Sequence, residues 1–164
     1  MKISTRSIYC LRLMVYLADH ADRESPIALK EIAEAKGLPY RYLEQLVVPL
    51  KNAGLIKSVQ GKHGGYALGR SADEITALEV FEATSGPVNL LKCVEEAQAC
   101  TCDLVEFCPS RRMWVELTEA ITGTMGKYTI EQLSERRMLE SLGRTEADGT
   151  LAVRCDEPDE QGDT

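Results

Sequence analysis

Ile32-Ala33-Glu34-Ala35-Lys36-Gly37-Leu38-Pro39-Tyr40-Arg41-Tyr42-Leu43-Glu44-Gln45-Leu46-Val47-Val48-Pro49-Leu50 is the stretch that decides the fold. A helix-turn-helix needs a small residue where its helices cross, a turn that tolerates positive φ, and apolar residues at fixed offsets. Ala33 is the small residue, Gly37 suits the turn, and Leu38 plugs the core. Leu43, Leu46, Val47 and Leu50 then recur at helical spacing as an inward stripe. Tyr40, Arg41, Glu44, Gln45 and Val48 are left facing out. Guanidinium, carboxylate and amide groups on one helix face can read base edges in a major groove, with Glu44 able to accept from cytosine.

Working outward, residues 55–59 and 66–68 are two β-prone runs around Gln60-Gly61-Lys62-His63-Gly64-Gly65, which predicts a hairpin. As a wing it would carry Lys62 and His63 at its tip, and its glycines would let the backbone approach a sugar–phosphate wall. A helix pair and a hairpin could equally be a protein-interaction module. Charge favours nucleic acid: residues 1–70 hold eleven Lys/Arg against six Asp/Glu, a balance of +5, although the whole chain is at -7. Residues 71–164, with eight against twenty, stand at -12.

A first helix is expected from a Ser4 cap to about residue 20, a second from residue 27 or 28 to Gly37, and a third from Pro39 to residues 52–54, its last turn bent or frayed by Pro49. A fourth is expected over residues 72–84. A long amphipathic helix is expected over residues 109–125, with Trp114, Leu117 and Ile121 on one face, and a short helix beginning at Thr129. After Gly143, seven Asp/Glu and few apolar residues predict a disordered acidic tail. The apolar run in residues 8–18 is interrupted by Arg12 and lacks a small-residue cleavage site, so it reads as a buried helix and not a signal segment. No run reaches the ~20 apolar residues of a membrane span. A cytoplasmic location, no membrane partner and no enzymatic activity are expected, since no catalytic dyad, nucleophile elbow or phosphate loop is present.

Four of the six cysteines, Cys93, Cys100, Cys102 and Cys108, crowd into sixteen residues. In a reducing compartment such grouping suggests a metal, a cluster or a redox switch more than structural disulfides. Glu95, Glu96, Asp103 and Glu106 nearby are expected to raise the thiol pKa values and make them sluggish nucleophiles. Zinc is a competitor, although the spacing is not that of paired CxxC knuckles. Cys10 reads as a buried small hydrophobe and Cys155 as incidental.

The residues Met1 to Arg6, Tyr42-Leu43-Glu44-Gln45-Leu46, Gly61 to Tyr66 and the later cysteines resemble, over roughly residues 1–135, the bacterial Rrf family of winged helix-turn-helix transcription regulators of the IscR, NsrR and CymR type. The resemblance implies a mostly α chain: a winged helix-turn-helix DNA-binding domain (1–85) with a β-hairpin wing, a cysteine-rich cluster loop (86–108), a long dimerisation helix with a short packing helix (109–140), and the tail (141–164). It implies a homodimeric repressor on a double-stranded DNA operator, with base readout around Tyr40, Arg41, Glu44 and Gln45. Phosphate contacts would come from Thr5, Arg6 and the wing residues Gln60, Lys62 and His63, and a dimer interface from Trp114, Leu117 and Ile121.

Where family members carry an arginine just before the wing glycine, this chain has Gln60, which weakens any minor-groove insertion there. The resemblance also implies an iron–sulfur cluster, 2Fe–2S or 4Fe–4S, on Cys93, Cys102 and Cys108. Cys100 is a fourth or alternative ligand. The histidine that follows the third cysteine in some members is here Arg111, which has no free lone pair, and the first-helix carboxylate of others is Ile8. The residues also allow a zinc- or thiol-based switch without a cluster, a small iron–sulfur electron carrier, or a plain interaction adaptor.

Overall fold

The computed structural model describes residues 4–23, 25–61, 64–95, 102, 105–134 and 137. Its architecture is mostly helical, in the order α1 (Thr5–Asp19), α2 (Leu29–Lys36), α3 (Tyr40–Asn52), β1 (Ile56–Val59), β2 (Gly65–Leu68), α4 (Ala77–Ser85), α5 (Lys92–Glu95) and α6 (Arg111–Lys127). Lys62, His63, Cys100, Cys155 and the acidic tail lie outside the described residues.

The α2–α3 pair forms as its sequence dictates. Gly37 takes φ 62°, and Leu38 N–H then reaches back to the Ala33 carbonyl at 2.9 Å, closing the helix end. Leu43, Leu46, Val47 and Leu50 are all buried, in one core with Leu13, Met14 and Leu17 of α1. Each such side chain contributes about 1.5–3 kcal/mol of burial. That anchoring holds the last turn of α3 together despite Pro49: the helix runs on to Asn52 and Ala53 N–H donates to the Pro49 carbonyl at 3.0 Å. The expected fraying does not occur.

β1 and β2 pair antiparallel from Ile56 opposite Leu68 to Val59 opposite Gly65. Ile27, expected at a helix start, instead bridges Tyr66 through two backbone hydrogen bonds of 2.9 and 2.8 Å, so α2 begins only at Leu29. This third segment explains Gly65, where an added Cβ would sit 2.3 Å from the Ile27 carbonyl oxygen. The glycine serves the wing's attachment before it serves any ligand.

Helix α4 starts five residues later than expected. Ile75 is buried as expected, but Thr76 caps the helix in a reciprocal box with Glu79, whose carboxylate accepts the Thr76 N–H at 2.9 Å. Ser7 of α1 joins Thr84 (3.3 Å) and Ser85 (2.6 Å), locking α1 against α4. Residues 129–134 bridge Thr76 and then turn; they do not form the expected helix. Ala77 N–H bonds the Tyr128 carbonyl and Ile130 N–H the Ile75 carbonyl, both at 2.8 Å, which pins the chain after α6 to the start of α4. None of the described helices is long and apolar enough to cross a membrane.

Candidate nucleic-acid interface and cysteine loop

The outward face of α3 carries Tyr40, Arg41, Glu44, Gln45 and Val48, all exposed. Tyr40 and Glu44 lie one helical turn apart, and the Glu44 carboxylate raises the Tyr40 pKa above its ordinary value, its charge being the largest cause. Both residues line an open groove of about 680 Å³ between α3 and the wing, together with Lys30, Val48, Lys51, Gly65 and Tyr66. Sequence reasoning missed Lys30 and Lys51: Lys51 stands three residues after Val48 and seven after Glu44 on α3, which was the available signal, while Lys30 belongs to α2 and had none.

At the end of the same domain, Ser4 caps α1 by accepting the Arg6 N–H at 3.2 Å. Thr5 and Arg6 are half-buried, and Arg6 Nε is buried without a hydrogen-bond partner. Only part of this guanidinium is therefore offered to solvent. Gln60 is exposed beyond β1.

The described cysteines after α4 lie on α5 and in the segment that leads into α6. Cys93 is on α5 and half-buried, Cys102 is exposed, and Cys108 is half-buried two residues before the Ser110 cap of α6. Arg111 joins the two ends of the loop. Its Nε donates to the Cys93 carbonyl at 3.1 Å and its backbone N–H to the Cys108 carbonyl at 3.2 Å. In place of a ligand, this position supplies a strut.

Three thiols suit iron or zinc by donor softness. Among the described residues, however, no three His, Cys, Asp or Glu side chains converge as a metal-binding group. The thiols thus have the softness a metal or cluster needs, while the described residues do not bring them into one closed ligand shell.

The expectation of thiols made sluggish by neighbouring carboxylates fails at Cys108. Its pKa is lowered, first by the side-chain hydrogen bond with Ser110 (3.3 Å), then by the Ser110 N–H, with the Arg111 N–H and charge adding against partial burial. Glu106 is close in sequence but does not govern the group. Cys10 is fully buried as expected, and burial pushes its thiol up to about 12 against the opposing charge of Arg6.

Helix α6 has no buried residue in the single chain. Trp114 and Ile121 are half-buried, while Leu117 and Met113 are 42% and 48% exposed. Met113, one turn before Leu117, extends the apolar stripe that the sequence reading began at Trp114.

Comparison with known proteins agrees with this arrangement. The family described as "Rrf2: Iron-dependent Transcriptional regulator" matches residues 3–136. The HTH-type transcriptional regulator CymR of Bacillus subtilis is 37% identical over 134 residues, covering 82% of this chain and 90% of that protein. The solved structure of CymR, the global cysteine regulator of B. subtilis, superposes with a TM-score of 0.66 at 36% identity, over 82% of this chain and 96% of that one. The structure of T. potens IscR gives a TM-score of 0.67 at 30% identity, over 92% and 93% of the two chains. These relatives are regulators and not enzymes, and the hairpin beside α3 is the wing of their fold. With the family spanning the helix-turn-helix, the wing, the cysteine loop and α6, the chain belongs to the Rrf2 family of transcription regulators.

Proposed function

We propose that the chain is a homodimeric repressor that binds a double-stranded DNA operator through α3 and the wing, and that an iron–sulfur cluster on Cys93, Cys102 and Cys108 sets its operator affinity. The observation that carries this reading is the placement of Arg111. It clasps Cys93 and Cys108 at the first residue of α6, so a change in the loop bears directly on that helix. Helix α6 packs on α4, which packs on α1 and α3. A loop ordered by a bound group could thus alter the spacing of two recognition helices. When bound, a cluster would supply charge and crosslinking on the loop; orienting the loop is work for Arg111 and Ser110.

Dimerisation is supported by α6 itself. Seventeen residues containing Thr118, Thr122, Thr124, Gly123 and Gly126 make a weak isolated helix, with each glycine costing about 1 kcal/mol relative to alanine. With nothing on α6 buried, a second copy against Met113 and Leu117 would stabilise it. The proposed division is 1–85 for DNA binding, 86–108 for the sensing loop, 109–140 for dimerisation and 141–164 for the tail. The DNA contacts proposed are Thr5, Arg6, Tyr40, Arg41, Glu44, Gln45, Gln60, Lys62 and His63.

The test is a Cys102→Ala protein purified without oxygen and assayed for iron, sulfide and zinc. Full iron and sulfide content in that variant would sink the ligand assignment. One observation favours a second reading, a thiol switch with no cluster: the Cys108–Ser110 contact that favours the thiolate. A metal-free wild-type protein whose DNA affinity changes on reversible thiol oxidation would establish it.

A further inference from the structure

Val48 is 53% exposed in the middle of the α3 face, while Val47 and Leu50 beside it turn into the core. A lone exposed valine on a solvent face needs no explanation. This one opens on the groove between α3 and the wing, one turn beyond Glu44, and shares its lining with Lys30 and Lys51. The two lysines suit phosphates, Glu44 and Gln45 suit the polar edges of bases, and Val48 can do neither. A β-branched residue also loses rotamer freedom in a helix, so nothing in helix formation favours it there.

In a major groove the one base-edge feature that rewards an isopropyl group is the C5-methyl of thymine. We propose that Val48 reads a thymine methyl in the operator. This rests on α3 being the recognition helix. One helical turn is a 5.4 Å rise and a base-pair step 3.4 Å, so the thymine lies within about two base pairs of the base read by Glu44. The polar face then has an apolar centre that distinguishes thymine from cytosine at a position where Glu44 has no reach.

The test begins with an operator selected from random duplexes by the full chain. Each thymine is then replaced singly by deoxyuridine, which removes only the methyl, and affinities are read by fluorescence anisotropy at fixed salt. One thymine per half-site should cost the wild type about fourfold, the worth of one buried methyl. In Val48→Ala the same replacement should cost almost nothing, with an unchanged melting temperature showing that the variant folds. Uniform tolerance of uracil by the wild type, or an undiminished penalty in Val48→Ala, would overturn the proposal. If the wild type selects no sequence at all, the recognition-helix reading beneath it falls instead.

Discussion

Arg111 Nε donates to the carbonyl oxygen of Cys93 at 3.1 Å, across eighteen residues of chain. With the Arg111 N–H on the Cys108 carbonyl, one residue closes the cysteine segment at both ends. Arg111→Ala should release α5. Amide exchange over residues 92–95 should speed up by about tenfold, as expected for loss of one charge-assisted hydrogen bond. Unchanged protection there would show that α5 is held by other contacts.

The Thr76–Glu79 box sets where α4 begins, and Thr76→Ala should cost about 1 kcal/mol in a denaturant titration. Glu79 also makes stability depend on pH. Burial works against its charge, but the Thr76 N–H and Arg70 at 2.7 Å outweigh it, so its pKa is lowered from the ordinary 4.5. A lowered folded-state pKa gives stability that is complete above 4.5 and is lost as pH falls through the folded value. Glu79→Gln should be less stable than the wild type at pH 7 and show a flatter loss below 4.5.

The Glu44 charge raises the Tyr40 pKa from one turn away on α3. Tyr40→Phe, which removes the hydroxyl from the proposed DNA-contacting face, should weaken operator binding a few-fold. Glu44→Ala should cost about tenfold in discrimination at a single base position, within the range for one direct base contact. Both variants should keep the salt dependence of the wild type, since neither removes a phosphate contact.

The apolar stripe on α6 gives a sharp test of assembly. Leu117→Glu places a charge at a 42% exposed position, so the single chain should fold normally. Light scattering should nevertheless report a monomer, with operator affinity falling by orders of magnitude as two half-sites cease to be bound together. A dimer that persists would move the interface off this face.

Much of this was legible because periodicity reports burial. Leu43, Leu46, Val47 and Leu50 had to turn inward once Gly37 fixed the turn, and the exposed set on α3 followed by elimination. Where two signals competed, the apolar one misled. Ala72 and Ile75 extended the α4 pattern backwards, although Thr76 and Glu79, three apart, marked the true start. Ile27 reads as helical from sequence because its bridge to Tyr66 is a long-range pairing that no local pattern encodes. The same limit applies at the cysteines. Counting nearby carboxylates gave the wrong sign for Cys108, because Ser110 and Arg111 are the groups that touch it.

The central claim is that the state of the cysteine loop sets DNA affinity. It is tested by titrating one operator with protein purified without oxygen, before and after a chelator strips its iron. A change of tenfold or more, within the usual range for coupled sites, is expected for the wild type and should vanish in Cys108→Ala. Equal affinities for iron-loaded and stripped wild-type protein would contradict the claim.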